Sequence, residues 1–313
     1  MDPFFIRHKL GSAEKNLCDA QRIAIDFENL RFSGGLAELE AGDFHGAYKT
    51  ALKYMIDLRD NGGWVFAEYG PGYIGKHRRE DVGCIIARIE PQGPFESFTA
   101  PANGQTYQVT LKLDPSSIGY IRYSEFPVLL AIRPPYGTIC RPSRSTYRQI
   151  AEAFFDGKKI PATEALNTLH PKIVEQLCVE YLRRKGHDNN KLAYCTLRPG
   201  KSLAIIDIAG RLQDERPIFA QVKNAPLSAD RSSELASQLE NFIGESNRED
   251  AVGVLFGMFD EAQEYDGPIS FVNLEKVFQY FRESDETVLK NMVGFGEIGT
   301  DKKPFPIDVD WTG

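Results

Sequence analysis

The sequence predicts a mixed protein of two domains. The first is an α+β domain with a small antiparallel sheet or barrel over residues 1–160. The second is an α/β domain over 161–293. Three observations lead there. The chain has 313 residues, against roughly 100–200 for an average domain. Residues 63–140 break into short aromatic and β-branched runs between glycines and prolines, the pattern of strands joined by turns. After Gly157 and Pro161 the pattern changes to helices alternating with strands, which favours an α/β layer. Residues 294–313 lack periodicity and read as an irregular tail.

Taken in order, helices are expected over 12–32 and 43–60. In the second, Ala47, Ala51, Tyr54, Met55 and Leu58 recur at helical spacing. Strands are expected at 64–69, 82–89, 107–113, 120–123 and 127–133, and 107–113 alternates as a half-buried strand does. A helix over 145–155 follows. The second domain opens with a helix over 171–185, with Pro171 in its first turn and Gly186 just past its end. Strands near 191–197, at 203–212 and at 217–222 come next. A helix at 233–243, strands at 251–258 and 269–272, and a helix at 274–281 complete the order.

Composition excludes several classes. Apolar residues are 42% and charged residues 26%, enough for proper cores in a soluble chain. No apolar run approaches the ~20 residues of a membrane helix. Residues 1–9 lack a signal-peptide core, so a cytoplasmic protein is expected. The five cysteines, Cys18, Cys84, Cys140, Cys178 and Cys195, are scattered and read as reduced buried thiols. A net charge of −7 argues against coating nucleic acid through bulk charge but leaves room for a local basic patch. Arg141, Arg144, Arg148, Lys158 and Lys159 are such a patch, or else a solvated helix face.

The informative chemistry lies in residues 205–223. Asp207 interrupts an apolar run that reads as a buried strand, and a carboxylate there needs a cation or several donors. Gln221 and Lys223 stand two apart on the next strand, so they share a face. If the two strands form a hairpin, a carboxylate, an amide oxygen and an ammonium converge. Oxygen ligands of that kind suit a hard cation such as Mg²⁺, and the set suits in-line attack on a phosphodiester. The competing readings are an ion pair of Asp207 with Arg211 or Lys223, and a Lys223 that merely reaches solvent. Pro199-Gly200-Lys201-Ser202 lacks the leading glycine of a phosphate-binding loop and precedes a strand, so nucleotide binding there is not expected.

The stretch from 165 to 285 resembles the Mrr-type restriction endonuclease catalytic domain, a branch of the PD-(D/E)xK nucleases. That branch carries an Asp and then a strand ending in Gln-x-Lys, matched here by Asp207 and Gln221-Val222-Lys223. It also places a glutamate on the preceding helix, which Glu175 matches. Glu180 is the rival on the same helix, and an exposed surface role for Glu175 is the alternative. Many such domains carry an acidic, glycine-rich stretch before the Asp; residues 198–206 have no acid. The resemblance implies a central mixed sheet flanked by helices and an Mg²⁺ cofactor, with Mn²⁺ as a substitute. It implies that Asp207 binds the metal and that Gln221 adds a carbonyl oxygen or holds a metal-bound water. Lys223 would position the attacking water, and Glu175 would support a second metal or orient its water.

In the first domain, aromatics interleave with cations, as the binding of flipped or single-stranded bases requires. The glycine-rich stretch with Tyr69, Tyr73, Lys76, Arg78 and Arg79 is the best candidate, with Arg144 and Arg148 as further DNA contacts. A β-domain core also needs aromatics, and this is the competing reading of each. Nucleases of this type often join a recognition domain to the cleavage domain, some reading modified bases. The expected function is therefore DNA cleavage in restriction or phage defence. An effector nuclease gated by a small molecule or protein, and a binding module without activity, are the alternatives. Cutting both strands calls for two active centres, so a homodimer is expected.

Overall fold

The first apolar run of the chain, Phe4, Phe5 and Ile6, is buried on a strand with neighbours on both sides. The computed structural model describes residues 1–8, 11–25, 46–70, 83–134, 139–142, 145–161, 165, 169, 171–196, 205–246, 250–259, 267–285, 287–289 and 294–310. Its contacts divide the chain into two units, Met1–Ala162 with Gly294–Gly313, and Thr163–Val293. Both combine helices and sheets. No helix among the described residues is long and apolar enough to cross a membrane.

Unit 1 contains β1 (Pro3–His8), α1 (Gly11–Asp19), β2 (Arg22–Ile25), α2 (Gly46–Asn61), β3 (Gly63–Tyr69) and β4 (Gly83–Ile89). It continues with β5 (Glu96–Thr99), β6 (Thr106–Lys112), β7 (Gly119–Arg122), α3 (Pro127–Ile132), β8 (Ile139–Cys140), α4 (Ser145–Asp156) and β9 (Ile160–Pro161). One sheet has the order β7-β4-β3-β1-β8, with β1 parallel to β3 and the other pairs antiparallel. Successive residues of a strand face opposite sides, and both sides of β1 are covered. Phe4 and Ile6 pack with Leu17 of α1 and with Leu52, Met55 and Leu58 of α2. Phe5 and Phe66 turn the other way, with ring centroids 6.0 and 4.9 Å from Tyr147 of α4. The second sheet, β2-β6-β5, is antiparallel.

Three sequence expectations change here. The larger sheet is mixed rather than antiparallel, because β1 runs parallel to β3. The helix expected over 12–32 stops at Asp19. Gln21 takes a left-handed φ of 53°, and the β-branched Ile23 and Ile25 enter the core as a strand. Residues 127–133 form a helix, not a strand; Pro127 fits the first helical turn, where a missing N–H costs nothing.

His8 closes β1 inside the core. Its Nε2 accepts the Ala24 N–H at 3.0 Å, so Nδ1 carries the proton that goes to Glu68 O at 2.9 Å. Tyr69 stacks on the ring at 4.7 Å. Burial lowers the His8 pKa to about 4. The unfolded chain binds this proton near 6.5, so the neutral ring stabilises the fold fully above that pH. The contribution is lost as pH falls from about 6.5 towards 4. Between pH 7 and pH 5 the wild type should lose about 2 kcal/mol through this group. In His8→Gln, urea unfolding at the two pH values should show that difference reduced. An unchanged difference would count against a neutral buried His8.

Unit 2 holds α5 (Pro171–Arg184), β10 (Leu192–Thr196), β11 (Ile208–Leu212), β12 (Pro217–Leu227), α6 (Ala229–Glu245), β13 (Val252–Phe259), β14 (Ile269–Asn273) and α7 (Leu274–Ser284). The strands lie in sequence order, antiparallel from β10 to β12 and parallel from β12 to β14. Leu255 packs with Leu235 and Leu239 of α6. Its neighbour Phe256 meets Tyr181 of α5, which also meets Tyr280 of α7. Adjacent strand residues face opposite ways, so α5 and α7 cover one face and α6 the other. Capping fixes where these helices start: Ser228 Oγ takes the Arg231 N–H, and Asn273 Oδ1 takes the Glu275 N–H. At the end of α5 the chain needs Gly186, at φ +83°, where a Cβ would stand 2.6 Å from Asn190 O.

Residues 294–310 belong to unit 1 and carry β15 (Glu297–Ile298), β16 (Phe305–Pro306) and β17 (Val309–Asp310). β17 lies parallel to β9. Gly299 and Tyr120 exchange backbone hydrogen bonds of 2.7 and 2.9 Å, and Phe305 packs edge-on against Phe154.

Candidate active site

The site begins where β11 begins. The Asp207 N–H donates to Ala220 O at 2.9 Å, and its carboxylate Oδ2 accepts the Val222 N–H at 2.7 Å. In an antiparallel ladder the C=O of one residue and the N–H two residues on point to the same neighbour. Asp207 therefore carries the ladder one rung further with its side chain, and its carboxylate lies near the plane of the sheet. Among the described residues it forms no ion pair within 4 Å. Arg211, the expected structural partner, instead turns to Glu215, contacting its carbonyl at 3.0 Å and its carboxylate at 3.6 Å.

Gln221 is 1% exposed, and its Oε1 is buried without a hydrogen-bond partner among the described residues. An amide oxygen left so costs about 1–3 kcal/mol. The register pairs Gln221 with Leu255 and Val222 with Phe256. Gln221 is thus turned to the α6 face and Val222 to the α5 face. This differs from the simple expectation of one face gathering all three groups. The in-plane carboxylate of Asp207 lies instead at the border between the faces.

Lys223 follows at a break in the ladder. Val222 pairs with Phe256 and Pro226 with Met258, so Lys223, Asn224 and Ala225 stand opposite Gly257 alone. A bulge frees side chains from strict alternation and re-aims them. Lys223 is half-buried and pairs with no carboxylate within 4 Å among the described residues.

Glu175 projects from α5 into the same neighbourhood. Burial raises its carboxyl above the ordinary glutamate range and the Asp207 charge raises it further, while Lys172 and Lys223 oppose the shift. Glu175 is therefore close enough to both Asp207 and Lys223 to sense their charges. Cys178, one turn along α5, is buried, and its thiol is pushed up first by burial, then by Glu175 and Asp207. Glu180, the rival on this helix, is engaged with Arg183 at 3.3 Å and Arg184 at 3.6 Å. Sequence reasoning missed Lys172 and Asn224. Lys172 stands three residues before Glu175 on the helix, and Asn224 adjoins Gln-x-Lys, so spacing alone could have raised both.

The nucleic-acid candidates of unit 1 fare differently. Tyr69 is fully buried, stacked on His8, and its O–H donates to Arg22 O at 2.8 Å. It fills the core and leaves no ring face for a base. Arg148 is exposed and pairs with Asp2 at 2.8 Å. Arg141 pairs with Asp57 and Asp2, and Lys158 with Glu152, so much of the basic stretch is neutralised within the chain. Tyr73, Lys76, Arg78, Arg79 and Arg144 lie outside the described residues.

No three of His, Cys, Asp and Glu come together as a metal cluster among the described residues. The oxygen donors around β12 among the described residues are the carboxylates of Asp207 and Glu175 and the buried side-chain amide oxygens of Gln221 and Asn224. A scan against protein-family models, a search of curated proteins and a search of solved structures each found no match to the chain.

Proposed function

We propose that unit 2 is a metal-dependent nuclease of the PD-(D/E)xK type, in its Mrr-like form, hydrolysing phosphodiester bonds of DNA. The observation that carries this reading is that Glu175 lies within electrostatic reach of both Asp207 and Lys223, with the Asp207 carboxylate held by the Val222 N–H. A structural ion pair would leave none of these groups over, and Asp207 has none among the described residues.

The donor chemistry fits a divalent ion. Mg²⁺ takes oxygen ligands, keeps several waters and needs only one or two protein carboxylates. Asp207 and Glu175 would supply the carboxylates; Gln221 Oε1 would join them only by turning from the α6 face on which the register places its side chain. When bound, such an ion polarises the phosphodiester and lowers the pKa of water. The chain's own groups would do the rest. Asp207, held by the Val222 N–H, keeps a fixed direction. Lys223 would hold the attacking water by hydrogen bonding and offset charge growing on the phosphoryl oxygens. Glu175 must lose its proton to serve, and without metal its carboxyl lies above the ordinary glutamate range.

A nicking assay on supercoiled plasmid, with Mg²⁺, with Mn²⁺ and with chelator, tests the reading. Nicking with either metal and none with chelator is expected. No cleavage of DNA with any metal overturns it. In Glu175→Gln the rate should fall by roughly 10–100-fold, as for a group that supports a metal site, and the acidic limb of the pH–rate profile should shift. A rate and profile equal to wild type would remove Glu175 from the site.

A further inference from the structure

The bulge after the Gln-x-Lys segment has its own anchor. Asn224 Nδ2 donates to Leu169 O at 3.0 Å, which ties the bulge to a residue just ahead of α5. Its Oδ1 is buried and takes no hydrogen bond from the described residues. The residues Lys223, Asn224 and Ala225 face the single Gly257, so regular strand pairing does not dictate their conformation. Where a ladder is interrupted, side-chain bonds to backbone set the local path.

We propose that Asn224 is a positioning residue for Lys223: by holding Leu169 O it fixes the bulge, and the bulge fixes the direction in which the lysine leaves the strand towards Asp207 and Glu175. The inference rests on the reading of unit 2 as a nuclease for its meaning, but not for its geometry. The Asn224 side chain bonds Leu169 O rather than a reacting group. A carboxamide is suited to the task because one side donates to a carbonyl while the other remains an acceptor. Aspartate has the same shape but presents only acceptors to Leu169 O.

The test uses the full chain and the variants Asn224→Asp, Asn224→Ser, Lys223→Ala and the double variant Asn224→Ser/Lys223→Ala. Two readouts are taken. The first is kcat and KM of plasmid nicking with Mg²⁺. The second is NMR of ¹³C-dimethylated lysines without metal, the Lys223 signal being assigned by its loss in Lys223→Ala. The proposal expects the Lys223 signal to move in both Asn224 variants. It expects kcat to fall roughly 10–100-fold with KM unchanged, the usual scale for a misplaced catalytic group. Asn224→Ser should add nothing in the Lys223→Ala background, since coupled residues are not additive. An unmoved Lys223 signal, or an equal loss of kcat with and without Lys223, overturns the proposal. If the wild type does not cut DNA, the nuclease reading fails by that result, and the Lys223 signal alone then decides the positioning role. Asn224→Ser is the milder variant should Asn224→Asp fail to fold.

Discussion

Asp207→Asn and Lys223→Ala are each expected to lower the rate of metal-dependent cleavage by about 10²–10³-fold, the cost of removing one group aimed at developing charge. The asparagine form separates charge from structure. Its side-chain oxygen can still accept the Val222 N–H that Asp207 now takes at 2.7 Å, so the start of β11 keeps its rung. Asp207→Ala would instead leave that N–H without its partner, and about 1–3 kcal/mol of stability with it. Removing the charge has a second consequence. Asp207 helps to raise the Glu175 carboxyl, so in Asp207→Asn the Glu175 pKa should fall. Side-chain carboxyl NMR reads this without any turnover. For Lys223, thermal melting near the wild-type value should accompany the lost rate, because its ammonium forms no ion pair within 4 Å among the described residues. Full activity in both variants would remove the proposed centre.

Glu68→Ala should produce the largest loss of stability, about 3–5 kcal/mol, the scale for breaking a buried ion pair from one side. Glu68 lies on β3, and its side chain is 4% exposed. Arg7 Nε donates to it at 2.8 Å, and Arg133 and Tyr123 donate to it as well. Arg7 is itself 10% exposed, also donates to Pro134 O at 2.8 Å, and lies over the Phe5 ring at 5.4 Å. Truncation leaves the Arg7 guanidinium buried without its counter-charge, and that desolvated charge, more than the lost attraction, carries the cost. Glu68→Gln keeps the shape and one carbonyl acceptor, so it should cost less than alanine. Urea unfolding at neutral pH measures both. A loss under about 1 kcal/mol for Glu68→Ala would place the network among surface pairs of little worth.

The sequence revealed helices and strands best where apolar periodicity and turn residues agreed. Pro171 and Gly186 bracketed α5 to within a residue of its observed end, and the helix and strands from α6 to α7 appeared in the order expected. β1 escaped notice because a six-residue terminal strand offers no period and no flanking turn. Its parallel pairing with β3 is a long-range choice, set by burial on both faces rather than by anything local. The stretch 12–32 looked helical because α1 is followed by residues whose strand preference shows only once Ile23 and Ile25 have a core to enter. At the site, Asp207 was conspicuous as an acid within an apolar run. The bulge was not: the expected strand ended at 222 with Lys223 as its continuation, and only the pairing of Pro226 with Met258 shows residues looped out. Tyr69 illustrates the opposite failure. An aromatic beside glycines suggested a base platform, yet its ring is core and its hydroxyl serves Arg22 O.

Diffraction from a crystal soaked in Mn²⁺, collected for anomalous signal, tests the central claim most directly. The account predicts one strong peak within bonding distance of an Asp207 carboxylate oxygen, with Glu175 beside it and the Lys223 ammonium within reach of its waters. A peak elsewhere in the chain, or saturating Mn²⁺ with those side chains left bare, would contradict it.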